Sequence, residues 1–197
     1  MKIKKDSEAI STSKIKKFKF KIDRLFHGIF SWFVLVLAAG ICGYAIIAFC
    51  FQTVTVVGPS MNETLEDGQV VLVNKLAYKF GSIDRFDVVC IKKVGSDSYY
   101  DIKRVIGLPY EKIQIREGII YINGQALMET PFQKLIVNSG VAINEITLGK
   151  NEYFVLGDNV NNSEDSRYTN MGNISKSEII GRVDRILSPK KDKGKVK

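Results

Sequence analysis

The run "TVTVVGPSMNETL" (residues 53–65) begins as a β-branched strand and breaks at Gly58-Pro59-Ser60-Met61, a turn that presents one serine hydroxyl. The chain has a single histidine, His27, which borders an uncharged segment beginning at residue 29. A Ser-His-Asp or Cys-His arrangement therefore finds no histidine in the region that carries Ser60. Zinc fails on the same ground, because Cys90 would be its only soft ligand there. Ser60 lies outside G-x-S-x-G, and Glu63 stands where S-x-x-K needs a lysine. "DNVNNSEDSR" (158–167) is rich in oxygen ligands, yet Val160 falls where an EF-hand loop needs Asp or Asn.

What survives is a hydrolytic serine whose base is a carboxylate or a lysine. A primary amine becomes a base once it loses its proton, whereas arginine does not deprotonate in proteins. Holding a lysine of ordinary pKa about 10.4 neutral at pH 7 costs roughly 4.6 kcal/mol, which points to burial among apolar neighbours. Lys103 in "YYDIKRVIGL" (99–108), flanked by Ile102, Val105 and Ile106, is the lysine best supplied with such neighbours. Strand alternation alone leaves open whether Lys103 or Arg104 faces inward.

The elements that must position this chemistry begin with charge. The net +8 is concentrated at the ends: residues 1–28 hold nine Lys/Arg against three acids, residues 190–197 five against one, and the rest of the chain stands at −2. A pI set by two tails argues against a nucleic-acid-binding face. Residues 29–51, "IFSWFVLVLAAGICGYAIIAFCF", carry no charge. As a helix they reach roughly 35 Å at about 1.5 Å per residue, enough for a hydrocarbon core of about 30 Å. The segment is too long for a signal-peptide core and lacks a small-x-small exit, so it reads as an uncleaved anchor. The basic N-terminal flank predicts a cytoplasmic 1–28 and an outer domain beyond the span. With Cys42 and Cys50 inside the span and Cys90 alone, the outer domain has no disulfide framework.

From residue 69 onward, short β-branched runs predict strands at 69–76, 86–94, 99–108, 111–117, 118–127, 145–148, 152–156 and 179–187. Asn123-Gly124 is a hairpin signal. Residues 128–144 read as loop with some strand. The expected organisation is a basic cytoplasmic tail (1–28), a transmembrane helix (29–51), a mainly β, antiparallel catalytic domain (52–189) and a basic C-terminal tail (190–197).

"GPSMNETL", "SIDRFDVV", "YYDIKRVIGLP" and "YFVLGDNVNNSEDSRY" resemble, in order and spacing, the motifs of the bacterial type I signal peptidases, in a Gram-positive-like form, from the anchor to about residue 187. The resemblance implies Ser60 as nucleophile and Lys103 as general base. G-D-N-x-x-x-S-x-D-S-R matches Gly157, Asp158, Asn159, Ser163, Asp165, Ser166 and Arg167. It further implies that Gly157-Asp158-Asn159 turns the chain to aim Ser163, that Ser163 hydrogen-bonds the lysine amine, and that Asp165 and Arg167 form a supporting pair. At the oxyanion position the Ser60 backbone N–H is expected to act, with Gly58 where many members carry a hydroxyl residue. The implied fold is an antiparallel β domain of coiled sheets outside the N-terminal span. The implied partners are signal-peptide-bearing preproteins and membrane lipid, with no cofactor, metal or nucleic acid. Signal peptides end in small-x-small, so a shallow, apolar pocket is expected.

The sequence departs from the family pattern at Glu63, where proline is usual, at Phe86 and Tyr110, where glycine is usual, and at Val160, where an arginine is usual. Two other readings compete. A self-cleaving repressor also uses a serine and a lysine, but the anchor and the lack of a DNA-binding module oppose it. A membrane-anchored assembly or chaperone-like protein could keep the peptidase fold without turnover, for instance for surface-appendage subunits, but the presence of both Ser60 and Lys103 opposes that.

Overall fold

The computed structural model describes residues 27–92, 100–189 and 194–196, and the chain divides into two units between Ala48 and Phe49. The first is dominated by a helix, α1 (His27–Cys50), of 24 residues, long and apolar enough to cross a membrane. Its apolar side chains, Trp32, Phe33, Leu35 and Ile46 among them, are exposed, as expected of a helix without a polar face. Of the expected tail 1–28, all but His27 and Gly28 lie outside the described residues, and those two open α1. The span was expected to run to residue 51, but Phe51 already belongs to a strand.

The second unit is antiparallel β. Its strands are β1 (Phe51–Thr55), β2 (Val70–Asn74), β3 (Val88–Lys92), β4 (Tyr100–Gly107), β5 (Lys112–Arg116), β6 (Ile119–Ile122), β7 (Gln125–Ala126), β8 (Ile146–Thr147), β9 (Glu152–Leu156), β10 (Ile174–Ser175), β11 (Ile179–Ser188) and β12 (Gly194–Lys195). One sheet runs β1-β2-β11-β3-β4-β9-β10, with β12 added on β11, and a smaller sheet runs β7-β6-β5-β8. The fold class is the one that the β-branched runs predict: mainly antiparallel β behind one N-terminal apolar helix.

The large sheet is buried on both faces. Val54, Val56, Met61, Leu65, Val71, Val73 and Cys90 form a core on one side, and Val89, Ile91, Val105, Val155 and Ile179 form a core on the other. A third cluster, with Ile113, Ile115 and Ile120 from the small sheet, packs against Ile106, Phe154 and Leu156 from the large one. Double burial is why β3, VVCIK, reads as a nearly continuous apolar run and why β4 is buried without alternation from Ile102 to Gly107.

The local differences have local causes. "VVLVNKLAYKF" splits into β2 and a one-turn helix, α2 (Ala77–Phe80). Asn123 and Gly124 take φ +51 and +80, and this left-handed pair joins β6 to β7 with Ile122 opposite Gln125. Residues 128–144 contain no strand and end in a 3-10 turn at Gly140–Ile143. Of the expected tail 190–197, residues 190–193 and 197 lie outside the described residues, while Gly194 and Lys195 pair with Ile186 and Arg185.

Candidate active site

The turn after β1 is built by burial on one side and hydrogen bonds on the other. Met61 and Leu65 are buried in the core, and the Leu65 N–H donates to the Met61 carbonyl at 2.7 Å. Met61 is therefore packing. Gly58 has φ +82, a left-handed bend that suits glycine, and its N–H donates to Asp67 Oδ1 at 2.7 Å. Gly58 thus has neither a hydroxyl nor a free donor to offer an oxyanion, and its part in the turn is the bend. The Ser60 N–H has no acceptor among the described residues.

On β4, Lys103 and Arg104 are both buried, at 3% and 2% exposure. Neighbouring residues on a strand point to opposite faces, so the open choice between them resolves as one on each. Lys103 stands opposite Val89, on the face of Val105, and its amine donates to Ser60 Oγ at 3.0 Å. Arg104 lies on the face of Ile102 and Ile106. Its guanidinium grips Asp158 with Nε on Oδ1 at 2.8 Å and Nη2 on Oδ2 at 2.6 Å, and Nη1 donates to the Phe86 carbonyl at 2.8 Å. Thr64 Oγ1 donates to the same Asp158 carboxylate at 2.5 Å. Asp158, expected as a turn residue, is thus also the hub that ties β4 to the turn of Ser60.

Residues 157–167 form the third wall. A Cβ on Gly157 would collide with the Ser60 carbonyl and with Ser163 Oγ, so only glycine lets these segments approach. Asn159 donates its backbone N–H to the Ser60 carbonyl at 3.0 Å and its side-chain amide to the Pro59 carbonyl at 3.1 Å. Asp165 is fully buried and Arg167 is 1% exposed; Nε and Nη2 of the arginine reach the two carboxylate oxygens at 2.8 Å each. The same carboxylate accepts the Gly157 N–H at 3.2 Å, while Ser166 bonds Val155 of β9. Ser163 is buried beside Gly157, but its Oγ has no hydrogen-bond partner among the described residues. The bond expected between Ser163 and the lysine amine is therefore not made; the hydroxyl stands beside Gly157 and near the Ser60 carbonyl.

The structure gathers Ser60, Lys103, Gly157, Asp158, Asn159, Ser163, Asp165 and Arg167 into one region. Sequence reasoning missed Arg104 and Thr64, whose only signal was a second cation beside Lys103 and a hydroxyl within the serine turn. A cleft of about 370 Å³ opens on Ser60 and Lys103. Its walls include Val57, Ile91, Met171 and Ile174, but also Asp101, Glu164 and Glu178, so it is less apolar than expected. Cys90 is no rival nucleophile: burial, with Asp101 nearby, pushes its thiol up to about 12. No cluster of His, Cys, Asp or Glu among the described residues has the arrangement of a metal site.

Residues 29–187 match the family model described as signal peptidase, peptidase S26. A signal peptidase I of Bacillus caldolyticus is 37% identical over 78% of this chain and 86% of that protein. Signal peptidase I V of Bacillus subtilis is 35% identical over 77% and 95%, and signal peptidase IB of Staphylococcus aureus is 33% identical over 79% and 87%. A solved signal peptidase I of Enterococcus faecalis, 28% identical, aligns with 52% of this chain and 97% of its own at a TM-score of 0.43. The chain belongs to the signal peptidase family, peptidase S26.

Proposed function

We propose that this chain is a membrane-anchored serine endopeptidase that removes signal peptides from exported preproteins after a small-x-small site, with Ser60 as nucleophile and Lys103 as general base. The observation that carries this reading is the 3.0 Å contact between Lys103 Nζ and Ser60 Oγ, made by a lysine that sits between apolar strands. A neutral Lys103 takes the Ser60 proton as Oγ attacks the scissile carbonyl, and the unengaged Ser60 N–H faces the developing oxyanion. The lysine returns the proton to the leaving amine, which becomes the new N-terminus of the mature protein. Water then attacks the acyl-serine, again with Lys103 as base, and frees the signal peptide. Asp158 with Arg104, and Asp165 with Arg167, hold the three segments that meet at the serine. The basic flank of α1 favours a cytoplasmic N-terminus and an extracytoplasmic catalytic domain.

The test is to incubate the detergent-solubilised chain with a purified preprotein and sequence the new N-terminus. Cleavage after small-x-small, lost in Ser60→Ala and failing on the acid side as Lys103 takes up its proton, is the expected result. An intact preprotein, or cleavage that survives Ser60→Ala, would overturn the proposal.

A further inference from the structure

Residues 134–141, part of the long connection between β7 and β8, form a strap with two bonded edges. One edge lies on the small sheet, where the Ile136 N–H donates to the Gly118 carbonyl at 3.3 Å and the Ile136 side chain enters the core. Gln114 of β5 fixes the end of the connection through the Ile143 carbonyl at 2.9 Å. The other edge lies on the 157–167 loop. There Asn161 uses both ends of its side-chain amide: Nδ2 donates to the Leu135 carbonyl at 3.0 Å, and Oδ1 accepts the Val137 N–H at 2.9 Å. One asparagine thus substitutes for a paired strand. Arg167 extends the seam, with Nη1 donating to the Asn138 carbonyl and its own carbonyl accepting the Val141 N–H, both at 2.9 Å. Gly140, at φ +53, has no room for a Cβ against the Arg167 carbonyl. Lys134 also reaches Glu63 in the serine turn at 3.6 Å.

We infer that Asn161 is a positioning residue: by holding the strap against the 157–167 loop, it fixes how that loop meets Ser60. The inference rests on the peptidase reading above. Asn161 is exposed and belongs to no core cluster, so its amide adds little to the burial that holds the fold. Its place in the chain gives it leverage. It lies two residues before Ser163 and two after Asn159, whose backbone and side chain bond the Ser60 and Pro59 carbonyls. Loss of the two hydrogen bonds to the strap lets the loop shift where Gly157, Ser163 and the Ser60 carbonyl approach without spare room. Small displacements of groups around a nucleophile lower the rate of the chemical step more than substrate binding.

The experiment compares the full chain with Asn161→Ala and Asn161→Asp in preprotein cleavage. The aspartate keeps the acceptor for Val137 and loses the donor to Leu135. For Asn161→Ala, kcat is expected to fall about tenfold with KM within about twofold, and the melting temperature to drop by no more than about 5 °C. Asn161→Asp should lie between alanine and wild type. Gly140→Ala, which presses the strap from its own side, should reproduce the loss in kcat. A wild-type kcat in Asn161→Ala would overturn the inference, as would a loss confined to KM or one accounted for by the unfolded fraction. If the unsubstituted chain leaves the preprotein intact, the peptidase reading itself falls. If that chain cleaves and Asn161→Ala cleaves equally well, only the positioning role falls.

Discussion

Lys103 and Arg104 are consecutive residues of one strand, both almost wholly removed from solvent, and the two faces of β4 treat them differently. Arg104 meets a carboxylate in a two-point grip and donates a further hydrogen bond to a carbonyl. Lys103 is directed at a serine hydroxyl. A buried guanidinium stays charged and must be given an anion, so the Arg104 face is a permanent joint. A buried amine can surrender its charge, so the Lys103 face can exchange a proton. The same elementary problem, a basic side chain inside a sheet, is met on one face by a fixed ion pair and on the other, in the reading proposed above, by an exchangeable proton.

The sharpest way to break this contrast is Lys103→Arg, which keeps much of the length but puts a permanent cation where the proposed base stands. Preprotein cleavage should fall by about 10³-fold or more, with the folded state retained in thermal denaturation. Cleavage at the wild-type rate would show that the lysine face is architecture as well. Next in size is Arg104→Met, which strands the Asp158 carboxylate in the interior. It should lower unfolding stability by about 3–5 kcal/mol, read from urea denaturation, and thereby reduce the amount of active protein. A smaller effect belongs to the more solvated pair of Arg85 and Glu111, bonded at 2.6 and 2.9 Å. Burial raises the Glu111 carboxyl, but the Arg85 hydrogen bonds and the Leu108 N–H outweigh it and hold it below the usual carboxylate range. Because the folded value is the lower one, the stabilisation is complete above the unfolded pKa of about 4.3 and is lost as pH falls through the folded value. Glu111→Gln should therefore flatten the loss of stability between about pH 5 and pH 3, measured as urea midpoints. The smallest effect should be at Cys90, an uncharged titratable group buried beside Ile102 of β4. Alkylating reagents at pH 8 should leave both Cys90 and the cleavage rate of the folded protein unchanged, as judged by mass spectrometry and the preprotein assay.

Much of this fold was legible because its strands are β-branched runs bounded by turn residues, and β9 was found with its exact ends, Glu152–Leu156. The two-residue strands β10 and β12 are too short to carry a period, and in residues 128–144 the backbones of Leu135, Val137, Asn138 and Ile143 bond side chains of other segments, not a partner strand. At the site, the motif stretches marked Ser60, Lys103, Asp165 and Arg167. The pair Arg104–Asp158 joins residues 54 apart, and the local reading of Asp158 as a turn residue hides it. Three departures from the family pattern also gain a physical meaning. Phe86 and Tyr110 stand at φ +72 and +68, so the left-handed bends that suit glycine are borne by aromatic residues. Glu63 stands at φ +91, a conformation closed to proline, so its replacement of proline goes with a different path through the serine turn.

Finally, β4 lies between β3 and β9, paired on both sides, with Lys103 opposite Val89 and Arg104 opposite both Val88 and Leu156. A slip of one residue would exchange the two side chains between faces. A slip in one direction would set the guanidinium against the hydroxyl, and a slip in the other would leave the shorter amine to answer the aspartate. Both outcomes forfeit favourable contacts at once, so misaligned chains are disfavoured as structures before they could ever compete as enzymes. The fidelity of strand pairing and the geometry of the proposed site therefore rest on the same two adjacent residues.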